Sequence, residues 1–201
     1  MSGSARIRGL NVFGTRKAEM TYWLSRSNRR QLLKNAGLLL PALVFPVPAI
    51  SAGAQPRRLS FYHTHTSEKL DVVYSENGIY LPDALEEINY LLRDFRSGEA
   101  HPIDPELLDI LHEVAIRTAS RGQFEIISGY RSPATNAKLR DQGRGVAKRS
   151  LHMQGKAIDV RLTDRPTGDL HKTALDLRRG GVGHYPKSNF IHVDTGRFRT
   201  W

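Results

Sequence analysis

Alternation of apolar and polar positions is sharpest in two short stretches of the C-terminal half. Lys156-Ala157-Ile158-Asp159-Val160-Arg161-Leu162 alternates with period two. A strand there turns Ile158, Val160 and Leu162 to one side and Ala157, Asp159 and Arg161 to the other. Phe190-Ile191-His192-Val193-Asp194 repeats the arrangement, with Ile191 and Val193 opposed to His192 and Asp194. The pattern also predicts a core strand over residues 124–128 and a hairpin from 59–66 and 70–74 around the polar turn Ser67-Glu68-Lys69. Elsewhere the period is that of a helix. Pro82 and Asp83 open a segment that carries Leu85, Ile88, Leu91, Leu92 and Phe95 on one face, with Gly98 to end it. Asp104 as N-cap and Pro105 in the first turn start a second helix, with Leu107, Leu108, Leu111, Val114, Ala115 and Thr118 as its stripe and Gly122 suited to its C-cap. Short helices are expected over 133–140 and 167–178, and a turn with a short strand over 180–186.

The first 54 residues follow another logic. Residues 1–28 are polar and basic, and Asn28-Arg29-Arg30-Gln31-Leu32-Leu33-Lys34 then precedes an apolar run over 36–50. Pro41, Pro46 and Pro48 interrupt that run, which falls short of the ~20 residues a membrane span needs. Ala52-Gly53-Ala54 offers a small-x-small cleavage site before Gln55. These residues resemble a twin-arginine export signal, although Asn28 and Leu32 depart from the usual Ser/Thr-Arg-Arg-x-Phe-Leu-Lys. The resemblance implies the twin-arginine export machinery as a partner, cleavage near Ala54, and a periplasmic mature form without a stable membrane span. The chain of 201 residues thus reads as a signal segment, 1–54, and one domain, 55–201.

Charge follows the same division. The formal net charge is +10, yet residues 1–54 hold eight Lys and Arg against Glu19 alone, so only +3 falls on 55–201. A nucleic-acid partner loses its support once the basic segment is set apart. The chain has no cysteine, which excludes disulfides, iron–sulfur sites and a thiol nucleophile.

The chemistry lies between residues 128 and 162 and in the last strand. His152 and Asp159 stand in the pattern His-x-x-Gly-x-Ala-x-Asp. If the strands bearing Asp159 and His192 are neighbours, both side chains share a sheet face and His152 reaches in from the preceding loop. That is a three-ligand zinc site with its fourth position open, as a catalytic zinc requires. The expected architecture is α+β, a small antiparallel sheet with helices on one face and a zinc cleft on the other. Ser-Gly-Tyr-Arg-Ser-Pro-Ala-Thr-Asn from 128, Ser-Leu-His-Met-Gln-Gly-Lys-Ala-Ile-Asp-Val from 150, and the segment 180–196 ending in Phe-Ile-His-Val-Asp-Thr-Gly resemble, in the family's order, the zinc D-Ala-D-Ala metallopeptidases of the murein endopeptidase K type. The resemblance covers roughly residue 59 to the C-terminal Trp201, and a wider group with lysostaphin-like enzymes and the hedgehog domain shares it. It implies a zinc endopeptidase acting on the peptide cross-links of peptidoglycan. The bond cut is left open between D-Ala to diaminopimelate and one diaminopimelate to another, with a carboxypeptidase as a further option.

Arg131 is the expected partner of the oxyanion, because a guanidinium is permanently charged and sits on a loop at a strand end; the resemblance gives the matching arginine a similar duty. Related enzymes place a base as Glu three residues, or His two residues, before the last zinc histidine. Here those positions hold Asn189 and Phe190. The candidates left are Asp194, on the face of His192, and His184 in the preceding turn; Asp194 is equally suited to fixing an imidazole tautomer. His63 and His65 share a strand face but have no third ligand nearby in sequence, so they are set outside the site. The missing base leaves one rival from another class, a non-catalytic peptidoglycan-binding module with a structural zinc.

Overall fold

The hairpin forms from β1 (Arg57–His63) and β2 (Lys69–Glu76), with β3 (Ile79–Tyr80) added at its edge. The protein is described here from a computed structural model covering residues 55–143 and 145–201. The expected signal segment and cleavage site, and Arg144, lie outside these residues. Helices α1 (Pro82–Leu91) and α2 (Pro105–Arg117) then carry the chain to β4 (Phe124–Ser128). After α3 (Pro133–Asp141) come β5 (Ala157–Leu162), α4 (Thr167–Leu177), β6 (Gly181–Tyr185), β7 (Phe190–Asp194) and β8 (Arg199–Thr200).

All the described strands join one sheet in the order β3-β2-β1-β4-β5-β7-β6-β8. The class α+β stands, but the small antiparallel sheet does not: this is an eight-stranded mixed sheet, with β1–β4 and β6–β8 parallel. The cause is topological. β3 runs in the direction of β1, and the two helices after it return the chain to the same end, so β4 enters parallel to β1. β8 escapes sequence reading because two residues carry no period.

Leu59, Phe61, Phe124, Ile126, Ile158, Val160, Ile191 and Val193 are buried on one sheet face together with Ile88, Leu107, Leu111 and Leu170 of α1, α2 and α4. A half-buried strut locks this layer, where Asp109 of α2 accepts from Arg57 (2.6 Å), Tyr74 (2.9 Å) and Tyr80 (2.8 Å). Both long helices end earlier than their stripes suggest. At α1 the Asp94 carboxylate accepts the backbone N–H groups of Arg96 (3.0 Å) and Ser132 (3.0 Å), giving the chain a turn to prefer over another helical bond. Phe95 therefore leaves the helix. At α2, Ala119 adopts φ +50° and Thr118 Oγ1 bonds back to the Val114 carbonyl (2.7 Å), so Gly122 is not the cap. No helix among the described residues is long and apolar enough to cross a membrane.

Candidate metal centre

Strand parity and register put the first two candidate ligands together. Asp159 on β5 and His192 on β7 are direct cross-strand partners, on the face opposite Ile158, Val160, Ile191 and Val193. His152 lies on a short 3-10 turn, Leu151–Gln154, that ends at Gly155 with φ +65°. A β-carbon at Gly155 would collide with the carbonyl oxygen of Pro102, and Gly155 itself accepts the Asp104 N–H at 2.9 Å. Only glycine meets both demands, and the turn is thereby anchored to the start of α2. On the other flank, β4 carries a bulge between Ile126 and Ser128. One extra residue there sets Ser128 opposite Asp159, on the ligand face rather than in the core.

The hydrogen bonds fix which atoms face inward. His152 Nδ1 donates to the Gly129 carbonyl (2.8 Å), which leaves Nε2 as a lone pair. His192 Nε2 donates to Asp194 Oδ2 (2.9 Å), which leaves Nδ1 as a lone pair. His152 Nε2 is 3.3 Å from His192 Nδ1 and 3.3 Å from Asp159 Oδ1, while His192 Nδ1 is 2.9 Å from the same oxygen. Three acceptors thus converge with no donor between them, a repulsive arrangement until something positive enters. A tetrahedral ion with bonds of about 2.0–2.1 Å sets its donors about 3.3 Å apart, so this donor set fits a metal. The other possible occupant is a second proton on His192. Burial opposes that proton, but the hydrogen bonds and charges of Asp159 and Asp194 outweigh burial and raise the His192 pKa above its ordinary value. Burial likewise opposes the Asp159 charge, and the two histidines overcome it, pulling its pKa well below the usual carboxylate range.

Arg131 approaches the cluster from the loop after β4. Its side chain is 11% exposed, with Nη2 4.0 Å from Asp159 Oδ2 and 3.3 Å from Ser128 Oγ. Its buried Nε has no hydrogen-bond partner. Desolvation works against its charge more than Asp159 supports it, and the pKa is lowered. A guanidinium remains cationic under such a shift. Arg131 is therefore close to the metal position without being neutralised.

The two candidate bases fare differently from expectation. Asp194 is fully buried, and its oxygens accept from Gly181 N (3.0 Å), Gly196 N (2.8 Å), Arg199 Nη1 (3.0 Å) and Nη2 (2.6 Å), and His192. Those bonds overcome the cost of burial and hold its pKa far below the usual range. So saturated a carboxylate holds the His192 ring and has neither the basicity nor the access to take a proton from water. His184 is not brought to the cluster at all. It pairs with Ile191 on the core face, stacks on His171 of α4 at 4.8 Å, and bonds Thr167 Oγ1 at 3.4 Å. It sits one residue out of phase with Gly183, the partner of His192.

The three candidate ligands open into a cleft of about 710 Å³. Tyr185, Phe190 and Trp201 wall it on the β6–β8 side; the Trp201 indole lies over Gly183, where a β-carbon would come within 2.7 Å, and donates to Tyr185 Oη at 2.7 Å. Arg96, Arg149 and Arg199 line it, and Asp159 is the sole acidic group to do so among the described residues. α3 borders this side through Leu139 instead of joining the other helices. Sequence reasoning passes over Arg199, Ser128 and Trp201, since none lies in a ligand-like spacing. His65, set outside the site as a strand-face residue, also lines the cleft.

The family model for peptidoglycan L,D-endopeptidase MepK matches residues 51–201. Peptidoglycan L,D-endopeptidase MepK of Escherichia coli (strain K12) is 39% identical over 177 residues, which cover 87% of this chain and 97% of that protein. Probable peptidoglycan L,D-endopeptidase MepK of Haemophilus influenzae is 42% identical over 177 residues, 87% of this chain and 95% of that protein.

Proposed function

Since the chain belongs to the family of peptidoglycan L,D-endopeptidase MepK, we propose that it is a zinc-dependent peptidoglycan endopeptidase of the periplasm, with His152, Asp159 and His192 as ligands. The observation that carries this reading is the convergence of three unshared lone pairs at the floor of a cleft. Two imidazoles and one carboxylate suit zinc among the common divalent ions. Bound there, zinc supplies a Lewis acid and a water that ionises near neutral pH.

The protein's own residues do the rest. The Gly129 carbonyl and Asp194 each hold one N–H of a ligand histidine, fixing the tautomers in which the inward nitrogens are free. Arg131, cationic and lacking a full set of partners, takes the charge that develops on the scissile carbonyl oxygen. Arg96 and Arg149 have no acidic partner among the described residues and offer sites for the carboxylates of the peptide stems. The relatives' L,D designation favours, among the bonds the sequence leaves open, the one between two diaminopimelate residues. Delivery to the periplasm rests on Arg29 and Arg30 and the apolar run after them.

The test is to incubate the full chain, with zinc and with a chelator, on purified sacculi and to analyse the muropeptides. Zinc-dependent loss of diaminopimelate–diaminopimelate cross-links is expected. Binding to sacculi without new products, over a range of pH and with zinc supplied, would instead establish the binding module.

A further inference from the structure

We propose that His65 is the proton carrier of this cleft, taking a proton from the attacking water by way of a second water and delivering it to the leaving amine. The inference rests on the peptidase reading and supplies what that reading lacks. Hydrolysis forms one C–O bond and breaks one C–N bond, so the water loses a proton and the departing nitrogen gains one. Few described residues of the cleft can manage both transfers. His152, Asp159 and His192 commit their lone pairs to the metal position. Arg96, Arg131, Arg149 and Arg199 stay protonated. Serine hydroxyls are too weakly basic, and the Tyr185 hydroxyl oxygen is already engaged by the Trp201 indole N–H. His65 is left, and an imidazole is the side chain that exchanges protons between pH 5 and 8.

Its position is built rather than incidental. Thr64 is clamped to the Ile126 carbonyl by both its N–H (3.1 Å) and its Oγ1 (2.8 Å). The next residue, His65, donates its backbone N–H to His63 Nδ1 (3.2 Å). Its ring stacks on Phe95 at 4.0 Å and 13°. Neither ring nitrogen has a hydrogen-bond partner among the described residues, so the ring is oriented yet chemically free. β4 alone separates β1 from β5, and His65, two residues past the end of β1, lines the same cleft as Ser128, Arg131 and Asp159. The titratable and charged groups around the ring are His63, whose ring centroid is 5.9 Å away and which burial keeps neutral down to about pH 4; Arg96, over the Phe95 ring; the Glu68–Arg93 pair beside His63, closed at 3.0 Å; and Arg131, which lines the same cleft. None is a free carboxylate that would do the same work.

The experiment compares wild type, His65→Gln, His65→Asn and His184→Gln on a purified cross-linked muropeptide, recording kcat and KM from pH 5 to 9. Zinc content is measured in each, as is muropeptide affinity in the metal-free protein. Both His65 variants should lose a hundredfold or more in kcat, with zinc content, KM and affinity unchanged and the acidic limb of the kcat/KM profile gone. His184→Gln, on the far face, should keep the wild-type rate. A smaller loss, a retained acidic limb, or a loss that follows zinc content or folding in both variants overturns the proposal. Rapid turnover by both wild type and His65→Gln sinks the inference alone, whereas wild type that releases nothing sinks the peptidase reading beneath it.

Discussion

Asp194→Asn separates a positioning role from a basic one, and the structure gives the size of the effect. The carboxylate accepts five bonds, three at Oδ1 from Gly181, Gly196 and Arg199 and two at Oδ2 from Arg199 and His192. Asparagine keeps the shape but turns one oxygen into an NH2. With its oxygen in the Oδ1 place three bonds survive, and the NH2 then faces Arg199 Nη2 and His192 Nε2. Two donors cannot bond, so His192 must offer its Nε2 lone pair to the amide and move its proton to Nδ1, the atom that points at Asp159 and His152. That proton occupies the ligand position. Zinc affinity should fall about 10- to 100-fold, or about 1.4–2.7 kcal/mol. The lost bond to Arg199 should lower stability by about 1.5–3 kcal/mol at most, since that side chain is 35% exposed and water recovers part of it. Competition with a chromophoric chelator reads the first effect, and urea unfolding of the metal-free protein the second. Zinc affinity within threefold of wild type, beside a hundredfold drop in kcat, would refute the reasoning and restore Asp194 as the base.

Four further outcomes follow from the same structure. Arg131→Ala should keep its zinc and fold but lose about 10²–10³ in kcat; elemental analysis beside muropeptide kinetics checks it, and loss of metal would make Arg131 structural. Zinc binding should weaken in mild acid: because the His192 pKa is raised, proton competition starts above about pH 6.5 and approaches about tenfold per pH unit below it. In the metal-free protein the same raised value contributes stability that is present below about pH 6.5 and lost as pH rises through the folded pKa, so chelation should destabilise most on the alkaline side. His63 has the opposite sign. Burial drives its pKa down to about 4, so its contribution is intact above about pH 6.5 and lost as pH falls toward 4, at a cost of about 3 kcal/mol. Urea midpoints that stay flat over that interval would show that His63 is not held neutral.

How much of this was legible depended on whether local pattern or distant contact decides an element. Asp104 caps α2 through its own side chain, accepting the Glu106 N–H at 3.1 Å, and a cap plus an apolar stripe is visible in one window of sequence. The end of α1 is not, because the competing turn is made by Asp94 with Ser132, 38 residues on. The same distinction explains the sheet. Each strand's faces follow from its own alternation, but whether β4 lies parallel to β1 depends on where two helices release the chain, and no residue of β4 records that.

At the site the distinction becomes one of parity. Asp159 and His192 share a sheet face because period two fixes their orientation, and direct pairing of β5 with β7 then brings them within 2.9 Å. Parity alone also allowed Asp194 a catalytic part, since it shares the face of His192. What removes it is a partner set assembled from Gly181, Gly196 and Arg199, which only the folded C-terminal segment brings together. His184 shows the reverse: eight residues before His192 along the chain, it pairs with Ile191 and so lands on the core face. His65 has no parity signal, because it lies just past the end of β1 and owes its direction to Thr64 and the Phe95 ring. Residues whose geometry a strand dictates can thus be found from spacing. A residue that a loop aims, as His65 is aimed, becomes visible once the contacts that hold the loop are known, whereas Arg131, also on a loop, is picked out by the segment Ser-Gly-Tyr-Arg around it. The proposed metallopeptidase uses both kinds: two strands and a glycine-anchored turn set the three candidate ligands near a metal's bonding separation, while the groups proposed to follow the moving charge and proton sit on loops.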